Sequence, residues 1–419
     1  MLRTLRSVMR FRRIEWNGDK RRLQGAANVA DLREIARKRL PRGVFDYIDG
    51  AAEDELTNGR NVRSFDRLEF VPHILRGIDK IDVGTKILGA DVPFPVVLAP
   101  TGFTRIADRR GELAVARAAA RVGVPYSLST LSTQSIEDVA AAGKSGVAGS
   151  GSANQWFQVY VWRDRGLVGE LLERAKAAGY RAIIITVDTA VLGRRERDVR
   201  SGFSLPPKLG LSTVIDGLLH PGWTFDFVRS EPIAFANVRG RSVGDGSDPV
   251  SLAHYVGTQF DASISWRDVD WIRSKWDGPV VIKGIQALED ARIAASEGVD
   301  AIALSNHGGR QLDGAPPPVE LIEPVAQAVG GELEILCDGG VRRGSDVAKA
   351  MALGATACMV GRPYLYALGA AGERGVGWVL DFLRQGLERT LALTGRRNLA
   401  ELDRGLVRWR GPGPFDTSS

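Results

Sequence analysis

Short apolar runs alternate with helical patterns along the chain from residue 95 to residue 393. Each run is typical of a buried strand, and the segment after it places apolar residues at the spacing of one helix face. The eight predicted strands cover residues 95–99, 125–129, 156–161, 182–187, 279–282, 301–305, 334–336 and 357–360. Eight strand-and-helix units predict an α/β fold of the (β/α)8 TIM-barrel type, whose usual size of about 250 residues fits this span if one insertion is allowed. A doubly wound parallel sheet is the weaker alternative.

Helices are predicted after the strands and also before them. Helical patterns cover residues 112–121, 135–142, 167–178, 288–296, 319–329 and 345–353, and a long last helix runs to residue 393. Residues 25–75 predict a helical N-terminal cap. The unit that carries the barrel therefore spans residues 25–402, between a basic tail at 1–24 and a C-terminal tail at 403–419.

An insertion at residues 202–263 interrupts the series after the fourth strand. It shows little strand-and-helix order before a helix restarts at Ser265, and loops of this length are usually functional or disordered. Two structures fit this segment: a lid packed on the barrel, or an interfacial segment whose Trp and Leu side chains enter a membrane headgroup layer. Its apolar residues, broken up by Pro and Gly, are Leu205, Leu209, Leu211, Val214, Ile215, Leu218, Leu219, Trp223, Phe225, Phe227 and Val228.

Much of the net charge of +6 is concentrated near the N-terminus, where residues 1–22 hold many Arg and Lys with few acidic residues. With no aromatic interleaving and no nucleic-acid motif, this tail is typical of a solvated or membrane-facing arm and not of a nucleic-acid grip. Neither a secretory signal nor a run of about 18–20 apolar residues is visible. We expect a cytoplasmic protein, soluble or peripheral on the inner face of the cell membrane.

The two cysteines, Cys337 and Cys358, lie in apolar runs. Such positions favour buried thiols over a disulfide and hence a reducing compartment. The sequence shows no cluster of Cys and His, so no metal is expected.

The strongest chemical signal lies at residues 304–314, where His307 and Arg310 follow the sixth strand in a Gly-rich polar loop. Loops at the carboxyl ends of barrel strands carry the chemistry of this fold. A lone His is more often structural, but an imidazole beside a guanidinium suits removal of a proton from a carboxylate-bearing substrate. Asp188, at the end of the fourth strand, can orient such an imidazole. Lys283, at the end of the fifth strand, fits either a Schiff base or a fixed positive charge beside a cofactor.

Two Gly-containing turns follow the last two strands, at residues 337–344 and 361–363. Their glycines bring backbone N–H groups close to an anion, and Arg342 and Arg362 supply charge-assisted hydrogen bonds. We therefore expect a bound phosphate. On the third strand, Gln158 and Tyr160 alternate with an apolar residue, which places both polar groups on one side.

Motifs from about residue 28 to residue 402 resemble the FMN-dependent L-2-hydroxy acid dehydrogenase family. The likeness is greatest to its bacterial respiratory L-lactate dehydrogenase branch. The motif that contains His307, SNHGGRQLDGAPP, is highly specific. The others are LAPTGF, SLSTLS, WFQVYVWRDR, TVDTAVLGRRERD, VIKGI, CDGGVRRGSDV and VGRP.

The resemblance implies a role for each matching residue. His307 is the expected base, and Asp188 hydrogen-bonds it and stabilises the imidazolium. The residues expected to contact the substrate carboxylate and hydroxyl are Arg195, Arg310, Tyr47 and Tyr160. Lys283 is expected to stabilise negative charge on the reduced flavin and not to form a Schiff base. The other residues expected to bind FMN are Thr101, Gly102, Ser129, Gln158, Thr186, Ser305, Asp338, Gly339, Gly340, Arg342, Gly361 and Arg362.

The implied reaction is oxidation of L-lactate, or a related L-2-hydroxy acid, to the 2-keto acid, with a quinone or cytochrome as electron acceptor. Hydride and carbanion transfer both fit these residues. Leu131 stands where plant-type glycolate oxidases resemble one another in having Trp, and Gly102 stands where oxidases tend to have Ala. Both disfavour direct reaction with O₂.

The alternatives are an oxidase that uses O₂, a mandelate-type dehydrogenase and, more remotely, a non-redox barrel that binds a phosphate ligand. The family also implies a homo-oligomer, with a tetramer as the default.

Overall fold

A computed structural model describes residues 15–147, 153–202, 210–238, 257–411 and 413–414. Eight parallel strands close into a barrel in chain order, and the last strand pairs with the first through Cys358 and Val96. This closure confirms the TIM barrel and excludes the doubly wound sheet. The strands are β1 (Val96–Leu98), β2 (Tyr126–Ser129), β3 (Gln155–Tyr160), β4 (Ala182–Thr186), β5 (Val280–Ile285), β6 (Ala301–Ser305), β7 (Glu334–Asp338) and β8 (Ala357–Val360).

Alternate residues of these strands face two different cores. Inward-facing Trp156, Ile184 and Leu336 fill the barrel, and a hairpin formed by Thr85–Ile87 and Ala90–Val92 packs against the same cluster. The outward-facing residues of the strands pack under the surrounding helices. Since the barrel interior is solid, the polar residues at the carboxyl ends of the strands are where a ligand has access.

Helices surround the barrel, as the sequence predicts. The last of them is one segment from Arg362 to Thr394 that breaks direction at Ala371 and Gly372, where Gly372 has a φ of 58°. The free thiols of Cys337 and Cys358 are buried beneath this layer. The helices in this layer are Gly111–Val122, Ile136–Gly146, Arg165–Ala178, Trp266–Arg273, Leu288–Ser296, Pro318–Val329, Gly344–Ala352 and Arg362–Thr394.

The predicted N-terminal cap is helical as far as residue 66. Its helices are Gly18–Leu23, Val29–Arg39, Arg42–Asp49 and Leu56–Asp66. The strand Leu68–Phe70 follows and pairs antiparallel with Val407–Trp409. The prediction of a separate C-terminal tail from residue 403 is therefore wrong for residues 407–409, because buried Leu406 and Val407 hold them against the cap.

The insertion contains more helix than its sequence pattern suggests. Helix Glu196–Ser201 precedes it, and helices Leu211–Leu219 and Pro221–Val228 lie within it, followed by the short 3-10 turn Ala236–Val238. The described part of the insertion contains no strand, and each of the two helices is long enough to close its own hydrogen bonds while packing on its neighbour. Leu205 and Leu209 lie outside the described residues, and the side chain of Leu211 is not described.

The insertion has an inner face on the barrel and an outer face in solvent. The Trp223 indole donates to the carbonyl of Ile106 at 2.7 Å. The outer side chains of Leu218, Leu219 and Val228 are 72%, 73% and 75% exposed. No helix within the described residues is long and apolar enough to cross a membrane.

Candidate active site

A cavity of about 380 Å³ opens at the carboxyl ends of the barrel strands, beneath the N-terminal cap. The structure brings most of the predicted site residues to its wall. They are Tyr47, Thr101, Gly102, Ser129, Tyr160, Arg195, Lys283, His307, Arg310, Asp338, Gly339, Gly340, Arg342, Gly361 and Arg362. The remaining predicted residues, which are hydrogen-bonded to or paired in the sheet with wall residues, are Asp188, Gln158, Thr186 and Ser305.

His307 and Asp188 are in hydrogen-bond contact at the cavity wall. Nδ1 of His307 lies 2.9 Å from Oδ1 of Asp188, whose side chain is only 3% exposed. Burial alone would raise the pKa of Asp188, but the nearby His307 outweighs burial and lowers that pKa. The carboxylate therefore stays ionised. Because Asp188 holds Nδ1, Nε2 is the nitrogen left to accept a proton from a ligand.

The backbone of His307 is held in an unusual conformation. Its φ is 56°, in the left-handed region, and Gly308 and Gly309 follow at 63° and 74°. A non-glycine residue in this region costs on the order of 1 kcal/mol or more and persists only where its surroundings impose it. The Ser305 hydroxyl accepts a hydrogen bond from the His307 N–H at 3.1 Å. This local strain is typical of a functional position.

Two arginines flank the ring of Tyr47 in the cavity. The guanidinium carbons of Arg310 and Arg195 lie 5.0 and 5.6 Å from the centre of that ring. Arg310 donates to the backbone carbonyls of Tyr47 and Gly50 at 2.7 and 2.9 Å, whereas Arg195 is paired with Asp198 at 2.9 Å. Burial and then the adjacent Arg195 lower the pKa of Arg310. A largely covered guanidinium whose hydrogen-bond partners among the described residues are backbone carbonyls suits an incoming carboxylate.

Tyr160 lies on the same side of β3 as Gln158, as predicted. Its ring stacks on Trp162 and meets Phe260 edge-on. Burial raises the pKa of Tyr160, so its hydroxyl remains neutral and can donate a hydrogen bond.

Lys283, Ser305 and Asp338 form a closed triangle at the base of the cavity. The Lys283 amine lies 2.8 Å from the Ser305 hydroxyl and 2.8 Å from Asp338 Oδ2, and Ser305 donates to the same oxygen at 2.7 Å. Burial alone would lower the pKa of Lys283, but Asp338 and then Asp188 outweigh burial and raise it. The lysine is therefore a fixed cation, which argues against the neutral amine that a Schiff base needs.

Polar side chains of β2 and β3 form another edge of the cavity. Ser129 donates to Oε1 of Gln158 at 3.0 Å. Nε2 of Gln158 is buried and has no hydrogen-bond partner in the described residues. Thr186 is the sheet partner of both Tyr160 and Lys283. An unpartnered buried donor beside a cavity fits a ligand that brings its own acceptor.

The two glycine turns form the far end of the cavity. Gly340 has a φ of 85°, and a Cβ there would lie 2.0 Å from the carbonyl oxygen of Asn61, so this glycine lets the cap approach. Gly361 has no neighbour closer than 3.8 Å to such a Cβ and leaves space at the start of helix Arg362–Thr394. Space at a helix N-terminus suits a phosphate.

Arg342 and Arg362 differ in how many donors remain for that phosphate. Three N–H groups of Arg362 donate hydrogen bonds to the carbonyls of Ile48, Gly308 and Gly50. Among the described residues, Arg342 donates one hydrogen bond, to the carbonyl of Val341 at 2.9 Å. Burial lowers the pKa of the Arg342 guanidinium. With the unpartnered Gln158 donor, these features fit a cofactor that has a polar ring edge and a phosphate.

Three features of the site are not apparent from the sequence motifs. Asn61 of the cap exchanges two hydrogen bonds with Asn306, at 2.8 and 2.7 Å. The side chain of Gln311 bridges two loops of the site. Phe235 from the insertion packs edge-on against Phe103, with ring centres 4.6 Å apart. Asn306 and Gln311 carry a usable signal, because they directly adjoin His307 and Arg310 in the sequence, whereas Asn61 and Phe235 do not.

Known proteins with similar sequences cover almost the whole of this chain. A family profile described as FMN-dependent dehydrogenase matches residues 36–409. A putative L-lactate dehydrogenase of Mycobacterium tuberculosis (strain ATCC 25618 / H37Rv) is 45% identical over 415 residues, covering 99% of this chain and 97% of that protein. An L-lactate dehydrogenase of Caulobacter sp. (strain K31) is 41% identical and covers 91% of this chain and 98% of its own.

Solved structures show the same likeness. The crystal structure of the monotopic membrane protein (S)-mandelate dehydrogenase has a TM-score of 0.86 and 38% identity, covering 92% of this chain and 100% of that chain. A mandelate oxidase mutant with (S)-mandelic acid has a TM-score of 0.77 and 36% identity, covering 92% of this chain and 99% of that chain.

Proposed function

Because this chain belongs to the FMN-dependent dehydrogenase family, we propose that it oxidises L-lactate to pyruvate. The observation that carries the proposal is the placement of the His307–Asp188 pair beside the buried guanidinium of Arg310. A base and an anion clamp on one wall are what removal of a proton from a 2-hydroxy acid requires.

FMN is the cofactor of the family, and when bound it accepts the two electrons and the Cα hydrogen of the substrate. The residues proposed to hold its phosphate are Arg342 and Arg362, with the glycine turns around them. Gln158 and Ser129 would meet the polar edge of the ring. Lys283, kept cationic by Asp338, would lie where negative charge develops.

His307 is proposed to take the hydroxyl proton of lactate at Nε2. Asp188 would hold the imidazole in the tautomer that leaves Nε2 free and would stabilise the imidazolium that forms. The neutral hydroxyl of Tyr160 would donate to the substrate. Arg310 would bind the carboxylate through two parallel hydrogen bonds. Arg195 would bind the same carboxylate through Nη1 or Nη2, because its contact with Asp198 is made by Nε.

A larger L-2-hydroxy acid is the second candidate substrate. Phe103, Phe235 and Phe260 line the cavity. An aromatic lining offers ring contacts to the phenyl side chain of a larger substrate, whereas the methyl group of lactate does not need such contacts. The structural likeness to an (S)-mandelate dehydrogenase also favours this candidate.

We also propose that the protein lies on the inner face of a membrane and passes electrons to a quinone. The exposed leucines of helix Leu211–Leu219 and Val228 provide an apolar surface of the kind that enters a headgroup layer. Leu192, 52% exposed, lines the cavity and adds an apolar side chain that reaches solvent. An exposed apolar side chain at the cavity wall favours a lipid-soluble acceptor over a cytochrome surface. A homo-oligomer, with a tetramer as the default, is proposed by family likeness and is measurable by light scattering.

The experiment that tests the proposed function is anaerobic flavin reduction with a panel of L-2-hydroxy acids. Purified protein is mixed separately with L-lactate, glycolate and (S)-mandelate, and the loss of flavin absorption at about 450 nm is followed. Fast reduction by L-lactate supports the proposal, and faster reduction by mandelate selects the second candidate. A colourless protein or no reduction by any of the three acids contradicts both. Oxygen uptake matching lactate turnover without added acceptor would identify an oxidase.

A further inference from the structure

Gln311 connects the two loops that carry the proposed base and its partner. Its Nε2 donates to the backbone carbonyls of Asp188 and Val191, at 3.0 and 2.8 Å. Its Oε1 accepts from the N–H of Gly193 at 3.1 Å. All three partners lie in the loop after β4, whereas Gln311 lies in the loop after β6. The amide therefore uses both its donor and its acceptor on a single neighbouring loop.

The position of Asp188 depends on its backbone more than on its side chain. Its Oδ1 contacts His307, but in the described residues its Oδ2 is buried without any hydrogen-bond partner. No second side chain therefore fixes the rotation of the carboxylate. On one side Asp188 packs against Gly284, where a Cβ would lie 2.8 Å from that of Asp188. On the other side Gln311 holds its carbonyl.

The loop bridged by Gln311 also leads to Arg195. At Gly193 the two loops are in direct contact, since a Cβ there would lie 2.3 Å from the carbonyl oxygen of Arg310 and 2.5 Å from that of Gln311. One side chain thus sets the separation between the loop carrying Asp188 and Arg195 and the loop carrying His307 and Arg310.

We propose that Gln311 is a positioning residue that sets the alignment of Asp188 with His307 by bridging these two loops. In this role its amide acts through the loop that carries Asp188, while Gln311 also lines the cavity. A misplacement of about 1 Å at a catalytic group can cost about 100-fold in rate, so loss of three hydrogen bonds at this point should slow the chemical step. The inference rests on the proposed function, because it takes His307 as the base.

The test uses Gln311→Met, which keeps the length of the side chain and removes its hydrogen bonds. The matched control is Gln327→Met, the same change at an exposed position of helix Pro318–Val329. Each FMN-loaded variant is mixed anaerobically with saturating L-lactate and with L-lactate deuterated at Cα. The rate of flavin reduction, the deuterium isotope effect, the FMN content and the melting temperature are recorded.

The proposal predicts that the flavin of Gln311→Met is reduced about 30- to 100-fold more slowly than that of the wild type, with a deuterium isotope effect on flavin reduction equal to or larger than that of the wild type. FMN content should stay near one per chain, and Gln327→Met should remain within about twofold of the wild type. Reduction by Gln311→Met within twofold of the wild-type rate overturns the proposal. So does a loss fully explained by lower FMN content or folded fraction, since that is a merely structural role. If the wild type itself is not reduced by L-lactate, the proposed function fails instead.

Discussion

Arg310 and Arg362 donate to the same atom, the backbone carbonyl oxygen of Gly50, at 2.9 and 2.7 Å. Gly50 ends the cap helix Arg42–Asp49, whose carboxyl end carries partial negative charge that favours cations. Arg310, proposed to bind the substrate, and Arg362, proposed to bind the cofactor phosphate, are therefore fixed by one turn of the cap. The cap therefore belongs to the candidate active site, because it orients both cations.

Replacing Arg310 by lysine should weaken substrate binding without removing the charge. Lysine offers a point charge and no planar pair of donors, so the paired contact with a carboxylate is lost. We expect KM for L-lactate to rise roughly 10- to 100-fold, since a hydrogen bond to a charged group contributes roughly 1.5–3 kcal/mol. Steady-state kinetics with an artificial acceptor measures this, and an unchanged KM would remove Arg310 from the clamp.

Asp49 should make a pH-dependent contribution to stability. Its carboxylate, with a side chain 6% exposed, accepts from Arg33, Arg197 and Tyr366. Burial alone would raise the pKa of Asp49, but the hydrogen bonds from Arg33, Tyr366 and Arg197 outweigh it and lower that pKa. The folded-state pKa is thus below the unfolded value of about 3.9, so the contribution is complete above that pH and lost as the pH falls towards the folded pKa.

Asp49→Asn should therefore lower the free energy of unfolding by about 2 kcal/mol at pH 6, the scale of charge-assisted hydrogen bonds. The difference from the wild type should shrink at pH 3, because the asparagine does not titrate. Urea titrations at both pH values measure it. Asp277→Asn, which removes an exposed pair with Lys176, should change stability little at either pH. If the difference in free energy of unfolding between Asp49→Asn and the wild type grew as the pH fell, the lowered pKa of Asp49 would be contradicted.

Gly193→Ala should separate the two loops that Gln311 bridges. A methyl group at this position would overlap the carbonyl oxygens of Arg310 and Gln311, which are backbone atoms and move only with their loop. We expect kcat/KM for L-lactate to fall about 100-fold. Gly377→Ala is the control, because a Cβ at Gly377 meets nothing within 4 Å. Equal activity of the two variants would show that the loop contact is dispensable.

The insertion should mediate membrane binding. Substituting Leu218, Leu219 and Val228 together by serine removes apolar area that is exposed in the free protein. Since a buried aliphatic side chain contributes roughly 1.5–3 kcal/mol, binding to phosphatidylglycerol-containing vesicles should fall more than tenfold in flotation assays. Serine substitutions at Ile74, Leu75 and Leu393, which are at least as exposed on average, should leave binding unchanged. If both triple variants lost vesicle binding equally, binding would depend on exposed apolar residues in general and not on the insertion.

The sequence predicts the architecture well because each strand of a parallel barrel is buried on both faces. Continuous apolar runs such as residues 182–187 and 301–305 therefore stand out, and their polar ends mark Asp188 and His307. The limits of the strands are less visible. Lys283 and Asp338 lie within β5 and β7, since strands continue after the apolar run ends.

Contacts between distant segments could not be predicted from local pattern. The bridge between Asn61 and Asn306 joins residues 245 positions apart, and neither asparagine differs in type from a solvent-exposed one. The pairing of Arg195 with Asp198 depends on a helix that begins at Glu196, which a charge run does not reveal. Periodicity also failed in the insertion, because its short helices leave many of their apolar residues exposed instead of burying them on one face.

The role of His307 is tested most directly by anaerobic mixing of His307→Gln with L-lactate, beside the wild type at equal FMN content. Glutamine keeps a hydrogen-bonding group near Asp188 but cannot act as a base near neutral pH. The account predicts a yellow, FMN-bound variant whose flavin is reduced by L-lactate at least about 1,000-fold more slowly than in the wild type. Flavin reduction at a rate within a few-fold of the wild type would contradict it.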